Sequence, residues 1–142
     1  MALWNPNVTY LQVAYQFAQY FVETYNQNPH NLASVCTENT MLSHNGVEIM
    51  GGAEVLNYLA LFNLRNIEIP ANGIDIQPSF NGSILINLFG TYQQTGIFSG
   101  SGTLRNIILT LLIIPDGYGN YYLLNLIIKT KDRGQSFTSL RF

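Results

Sequence analysis

Apolar residues change their spacing along the chain, from a helical pattern to a strand-like one. Within Thr9–Tyr25 they recur at three- and four-residue steps, which is typical of an amphipathic helix. A short helical turn is predicted over Leu32–Cys36, and a third helix is predicted to begin at Gly51 and Gly52. From Asn66 onward the spacing changes to two, which predicts strands.

The predicted strands are apolar on both faces. Ile84–Phe89, Ile107–Ile114 and Tyr121–Ile128 contain almost no charged residues, and Asn81-Gly82 predicts a hairpin turn before the first of them. An antiparallel sheet normally keeps one face polar, so a second apolar face needs a cover from the chain itself or from a partner. We interpret this pattern as a cover supplied by a partner.

The order of these elements predicts an α+β protein. We expect three N-terminal helices to pack on one face of a curved antiparallel sheet, built on a meander of four long strands. A brief strand is predicted at Thr40–Leu42, before a turn at Asn45 and Gly46. The 142 residues are expected to form a single cone-shaped domain, residues 1–142, because a chain of this length buries enough surface without disulfides or metals.

Two alternating sets of strand residues are candidates for the partner interface. A period of two places one set against the helices and the other against the partner. Because both sets are apolar, the pattern does not say which set is which. The candidates are Ile84, Ile86, Leu88, Ile107, Leu109, Leu111, Ile113, Leu124, Leu126 and Ile128.

The composition narrows the classes of partner and ligand. Only 10% of the residues are charged and the formal net charge is −2, so no direct contact with nucleic acid or an anionic membrane is expected. No apolar stretch approaches the roughly 20 residues that cross a bilayer. Cys36 is the only cysteine and has no neighbours at metal-ligand spacing, so we expect no disulfide, metal or cofactor. The N-terminus lacks a secretory signal pattern, which favours the cytosol or nucleus.

Four sets of short strings occur in an informative order. They are Phe17-Ala18-Gln19-Tyr20-Phe21; Met41-Leu42 with Asn45-Gly46 and Gly51; Asp75-Ile76-Gln77-Pro78-Ser79; and Leu112-Ile113-Ile114-Pro115-Asp116-Gly117 with Tyr121-Tyr122 and Asn125. Together these strings span nearly the whole chain and resemble the nuclear transport factor 2 family. The resemblance implies a cone-shaped α+β domain whose sheet packs face to face in a homodimer or a heterodimer.

The resemblance also bears on the cargo. The transport factor of this family uses acidic residues at the mouth of its cone to receive a basic residue of the GTPase Ran in its GDP form. This chain has Asn45-Gly46 and Tyr92–Gly96 at those positions, without a carboxylate. Burying an unpaired cation costs several kcal/mol, so a Ran-GDP carrier is disfavoured. The Asn-Gly pair is similar instead to the small subunit of the mRNA export receptor, which pairs with a larger family member.

The last predicted strand departs from the family pattern. Leu126 stands where the family commonly has an aspartate, so apolar contact replaces polar interactions near the dimer face. The resemblance therefore implies a noncatalytic nucleocytoplasmic transport protein that pairs through its sheet with a larger mRNA export receptor subunit. Such a protein is expected in the nucleus and cytoplasm and at the nuclear pore.

Two aromatic residues near the N-terminus are candidates for a nucleoporin contact. By resemblance, Tyr10 occupies the place of an aromatic residue that helps to hold phenylalanine-glycine repeats of nucleoporins, and Trp4 lies upstream. Either residue could provide a shallow apolar slot for a phenylalanine ring. The alternative for Tyr10 is packing within its own helix.

Two other functions stay open. A homodimeric scaffold, like the family domain of stress-granule proteins and deubiquitinase cofactors, would bind itself and recruit short phenylalanine-glycine-type peptides. A small-molecule isomerase or dehydratase shares the same cone and needs a general base and a hydrogen-bond donor for a developing oxyanion. The candidates His44, Glu48 and Asp75 do not specify such a constellation, so we expect no enzyme activity.

Overall fold

The computed structural model describes residues 9–62, 64–94 and 103–131. In these residues two α-helices and three 3-10 helices, two of them the short turns Ala71–Gly73 and Phe80–Gly82, combine with seven strands, so the α+β class predicted from the sequence is confirmed. The helices are α1 (Tyr10–Gln27), a 3-10 helix (Pro29–Val35) and α2 (Gly52–Leu61), and the strands are β1 (Cys36–His44), β2 (Val47–Met50), β3 (Leu64–Glu68), β4 (Ile74–Pro78), β5 (Ile84–Gln94), β6 (Thr103–Pro115) and β7 (Tyr121–Lys131).

The strands form one sheet in the order β2-β1-β7-β6-β5-β3, with β4 also paired to β5. Two details of the predicted fold were wrong. First, α2 follows the β1–β2 hairpin, so the helices do not all precede the sheet. Second, β1 pairs in parallel with β7, which makes the sheet mixed. Both errors have one cause: most of β1 is polar, and its Cys36–Thr40 segment gives no alternating pattern to reveal a long strand.

Asparagine-glycine pairs make two of the turns. Asn45 and Gly46 have positive φ angles of 48° and 93° between β1 and β2, and Asn81 and Gly82 have 57° and 79° before β5. Asparagine and glycine tolerate this left-handed region, which other residues rarely adopt. Both predicted turns are therefore present.

Strand β5 changes its edge partner along its length. It pairs with β4 from Ile84 to Leu88 and with β3 from Thr91 to Gln94. A Cβ atom at Gly90, between the two regions, would overlap the carbonyl oxygen of Glu68. Only glycine allows the backbones to come this close, so Gly90 permits the change of partner.

Helix α1 begins without a side-chain cap. Thr9 precedes the helix, but its side chain makes no capping hydrogen bond. At the other end, the Asn26 side chain bonds both ways with the backbone of Ile67, donating to its carbonyl at 3.0 Å and accepting from its N–H at 2.9 Å. This contact fixes the end of α1 against β3.

The helices cover one face of the sheet, which we call the inner sheet face. Nine of the ten candidate interface residues lie on it and are at most 1% exposed: Ile84, Ile86, Leu88, Ile107, Leu109, Leu111, Ile113, Leu126 and Ile128. They pack in the core with residues of α1 and α2 such as Phe21 and Leu59. Their assignment to a partner interface was therefore wrong, because their own helices already cover them. Leu124 is half-buried, next to an irregularity in the β6–β7 register.

The Leu59→Ala substitution tests the packing of α2 on this core. Leu59 is 1% exposed, so we expect its truncation to lower the free energy of unfolding by about 2–5 kcal/mol through lost burial and a residual cavity. Leu61→Ala is the matched control on the same helix, where the side chain is 83% exposed, and should change stability by less than about 0.5 kcal/mol. Urea denaturation followed by circular dichroism measures both. Equal losses of unfolding free energy in the two variants would contradict the packing of Leu59 in the core.

Candidate protein interface and the His44 cluster

The helices leave the opposite face of the sheet open; we call it the outer sheet face. It is formed by the alternate residues of the same strands, and its apolar side chains are exposed or half-exposed. Phe89 and Ile127 are each 45% exposed and Leu85 is 37% exposed. The apolar members are Met41, Met50, Leu85, Phe89, Leu104, Ile108, Leu112, Ile114, Tyr122 and Ile127.

One row of residues crosses the outer sheet face and is mostly polar; we call it the polar row. The strand register aligns, from edge to edge, Asp75, Asn87, Thr110, Ile127, Ser43 and Glu48. At its centre the Thr110 hydroxyl donates a 2.8 Å hydrogen bond to the Asn87 side-chain oxygen. The centre of the polar row is thus polar but uncharged, and the two charged residues of the row lie at its ends.

A hollow of about 410 Å³ lies where β2, β1 and β7 meet. Met41, Met50 and Ile127 contribute apolar atoms to it, and Glu48 and Asn125 contribute polar ones. Met50 is 66% exposed, which is unusual for a large apolar side chain. Exposed methionines adapt to different contact shapes because the side chain is flexible, so this hollow suits a protein contact.

A second group of side chains, the His44 cluster, consists of His44, Tyr58, Phe62, Tyr92 and Thr130. The Nδ1 atom of His44 lies 2.8 Å from the Tyr58 hydroxyl, and its Nε2 atom lies 3.2 Å from the Thr130 hydroxyl. Phe62 stacks edge-on to the His44 ring at 4.4 Å between centroids. Tyr92 also hydrogen-bonds to Thr130. Both ring nitrogens of His44 are therefore engaged.

The cluster favours neutral forms of its titratable groups. His44 is 4% exposed, and burial lowers its pKa from the ordinary 6.5, with a further contribution from the positive charge of Lys129. Burial raises the pKa of Tyr92, while Thr130 and Arg105 partly oppose this change. The side chain of Asn45 joins the cluster by donating to Thr130 at 3.0 Å. No side chain of the cluster is a carboxylate, so it offers no negative charge to a cation.

The other candidate acids do not join the His44 cluster. Glu48 and Asp75 lie on β2 and β4, at opposite edges of the outer sheet face, and both are exposed.

Burial raises the pKa of the Cys36 thiol to about 11, which keeps it protonated near neutral pH. In residues 9–62, 64–94 and 103–131, no three His, Cys, Asp or Glu side chains converge on a point where a metal could bind. No helix in those ranges is long and apolar enough to cross a membrane.

The two aromatic candidates for a nucleoporin contact are not brought together. Tyr10 is the first residue of α1, is half-buried and packs against the hydrophobic core. Trp4 lies outside the described residues. Tyr10 retains some exposed surface, and its contact with nucleoporin repeats stays a prediction.

A comparison with protein-family models identifies the family. The model of the nuclear transport factor 2 (NTF2) domain matches residues 13–130, which is more than half of the 142 residues. The chain belongs to the NTF2 family. The resemblance inferred from the short strings is confirmed.

Named relatives and solved structures agree with this assignment. Nuclear transport factor 2 of Emericella nidulans is 26% identical over 114 residues, covering 80% of this chain and 88% of the relative. The structure of nuclear transport factor 2 from Cryptosporidium parvum has a TM-score of 0.75 at 20% identity, covering 89% of this chain and 98% of that one. The Mtr2–Mex67 M domain complex of C. albicans has a TM-score of 0.66 at 12% identity, covering 89% and 98%. These relatives are consistent with membership of the NTF2 family, and the solved structures share its fold.

Sequence reasoning missed the residues that remain available for pairing on this NTF2 domain. They are the alternates of the predicted set, such as Leu85, Phe89 and Ile127. The sequence does contain a signal for them. Asn87 and Thr110 alternate in step with these outward-facing residues, whereas the buried alternate positions within Ile84–Leu88 of β5 and within Ile107–Ile113 of β6 are all apolar. The set interrupted by polar residues is the one that faces outward, because a core excludes them.

The buried state of His44 predicts a pH dependence of stability. Its pKa in the folded protein is below 6.5, so the unfolded chain binds a proton more readily near that pH. We expect the free energy of unfolding to be constant above about pH 7 and to fall as the pH drops through 6.5 towards the folded pKa. Urea midpoints measured between about pH 5 and pH 8 test this expectation.

The second histidine provides the control. His30 is exposed, so His30→Gln should retain the pH dependence of the native chain, whereas His44→Gln should reduce it. An unchanged pH dependence in the His44→Gln variant would show that another group causes it.

Proposed function

We propose that this protein is a noncatalytic transport subunit that pairs through its outer sheet face with the NTF2-like domain of a larger mRNA export receptor subunit. The observation that carries the proposal is the outer sheet face itself, whose apolar side chains are exposed or half-exposed and whose polar row carries no charge between its two rims. A face of this kind is characteristic of a protein interface. The likeness to the Mtr2–Mex67 M domain complex supports pairing with a second chain.

Burial of the outer sheet face provides the energy for pairing. Apolar surface removed from water contributes about 25 cal/mol per Å², and a standard interface buries about 800 Å² on each partner. Association and side-chain ordering offset part of this gain. Because Phe89 and Ile127 are each 45% exposed, they still have apolar surface to bury.

The His44 cluster supports a noncatalytic role and argues against Ran-GDP as cargo. Both nitrogens of His44 lie within hydrogen-bond distance of hydroxyl groups, so the ring is occupied by structural contacts. The cluster has no carboxylate to receive a basic residue of a cargo protein. An isomerase or dehydratase would also need a general base beside an oxyanion donor. Glu48 lies on the strand next to His44 but on the outer sheet face, and Asp75 lies on β4 at the other edge, so neither joins the buried His44 cluster.

The proposed role includes contact with the nuclear pore. The named NTF2 relative supports transport between the nucleus and the cytoplasm. We propose that the subunit helps its partner to engage phenylalanine-glycine repeats of nucleoporins, with Tyr10 and Trp4 as candidate contacts. Tyr10 supports this role because it is aromatic and half-buried at the start of α1.

A homodimer is the second candidate. The 26% identity to a protein named nuclear transport factor 2, and the TM-score of 0.75 to a second one, favour a chain that resembles those proteins in its function. The apolar residues around the polar row would also fit a second copy of the same face. In this case the protein would be a homodimeric carrier or a scaffold for short peptides.

The Phe89→Arg substitution tests pairing through the outer sheet face. An arginine at this half-exposed position should be tolerated in the isolated chain but would bury an unpaired charge in the interface, so we expect pairing to weaken at least tenfold. Leu61→Arg, on the opposite side of the molecule and 83% exposed, is the control and should pair normally. Light scattering of the chain alone, and after coexpression with a larger export-receptor subunit, measures pairing.

The outcomes separate the candidates. A one-to-one complex with the larger subunit that Phe89→Arg disrupts supports the proposed function. A stable dimer of this chain alone, indifferent to the larger subunit, supports the homodimer. Normal pairing by Phe89→Arg with a native circular dichroism spectrum would show that the outer sheet face is not the interface.

A further inference from the structure

We infer that the outer sheet face selects a partner other than a second copy of this chain. The partner is a sheet face that carries hydrogen-bonding side chains at its centre and basic side chains at both rims. This inference rests on the proposed function, since it takes the outer sheet face as the pairing surface. It further specifies the chemistry of the partner's sheet face.

The centre of the polar row determines how two faces align. Thr110 donates to the Asn87 side-chain oxygen at 2.8 Å. The amide nitrogen lies on the other side of the planar group, so its N–H donors point away from Thr110. Sealing these donors under an apolar surface weakens association by roughly five- to a hundredfold. The partner must therefore place a hydrogen-bonding row opposite this one.

The rims of the polar row are both acidic. Glu48 lies on β2 at one edge of the sheet and Asp75 lies on β4 at the other, and both are exposed. Suppose that two copies pack face to face with aligned strands and with their polar rows opposite each other, related by a two-fold axis. If the axis runs along the strands, the second copy presents its strands in the reverse order, and Glu48 of each copy meets Asp75 of the other. If the axis runs across the strands, the order is the same in both copies, and each acid meets its own counterpart. Either arrangement places like charges together at both rims.

The other charges of this face do not compensate. Lys129 lies on β7 in the middle of the sheet. It is two residues along that strand from the polar row, a distance of about 7 Å. Arg65 and Glu68 lie together on β3, beyond that row, and have opposite signs. Among the side chains that the structure describes, a second copy thus brings no basic residue to Glu48 or Asp75, whereas a partner with basic rims forms an attractive pair at each.

A charge-reversed copy of the chain serves as the probe. The variant Glu48→Lys/Asp75→Lys places lysines at both rims, and both positions are exposed, so the fold should be retained. Fluorescently labelled native chain is titrated with this variant and, separately, with unlabelled native chain. We expect the mixed pair to bind about tenfold more tightly than the native pair at low salt, with the difference decreasing as salt screens the charges.

A matched control separates rim contacts from net charge. The variant Glu23→Lys/Glu54→Lys changes the net charge by the same amount but on exposed positions of α1 and α2. It should bind the native chain no more tightly than a second native chain does. The inference is overturned if this control binds as tightly as the rim variant, or if the native chain binds itself at least as tightly as it binds the rim variant.

Adding Phe89→Arg to both members of the mixed pair separates a failure of the proposed function from a failure of the partner selection. If pairing then persists, the outer sheet face is not the interface and the proposed function fails. If Phe89→Arg abolishes pairing but rim charge has no effect, only the partner selection fails. If Phe89→Arg abolishes pairing and the rim variant binds more tightly than its control, the outer sheet face both pairs and selects by charge.

Discussion

The structure depends on a sheet whose central strands are apolar on both faces. The helices α1 and α2 bury one set of alternating side chains, including Leu88 and Leu111, which are fully inaccessible. The other set remains exposed or half-exposed in the part of the chain that the structure describes, because α1 and α2 pack on the first face. Burial of the first face stabilises the domain. The exposed apolar atoms of the second face are the basis of the proposed pairing.

The parallel pairing of β1 with β7 has a further consequence. It brings His44 beside Thr130 across the sheet, and α2 adds Tyr58 and Phe62 from above. The result is a neutral cluster without a carboxylate. Because desolvation disfavours the charged imidazole, His44 contributes to stability in its neutral form. The cluster and the outer sheet face together favour a protein that binds by apolar contact.

Much of the fold was predictable because its signals are local. The three- and four-residue spacing of α1, the Asn-Gly turns and the period of the long strands depend on residues close in sequence. Strand β1 was underestimated because its first half, Cys36–Thr40, is polar and is held by distant contacts such as the 2.6 Å hydrogen bond from Thr40 to the Leu123 carbonyl. No local pattern reports a partner 83 residues away.

The sequence by itself determined the class of fold, the family and the presence of two apolar faces, since these follow from composition, order and period. Which face is covered is marked in the sequence only by Asn87 and Thr110, and it was decided by the tertiary structure. Alternation separates Leu109 from Ile108 but does not say which of them meets the helices, because both are apolar. The choice depends on where α1 and α2 pack. Likewise, only the strand register places Glu48 and Asp75 at opposite ends of one row, where they bear on the choice of partner.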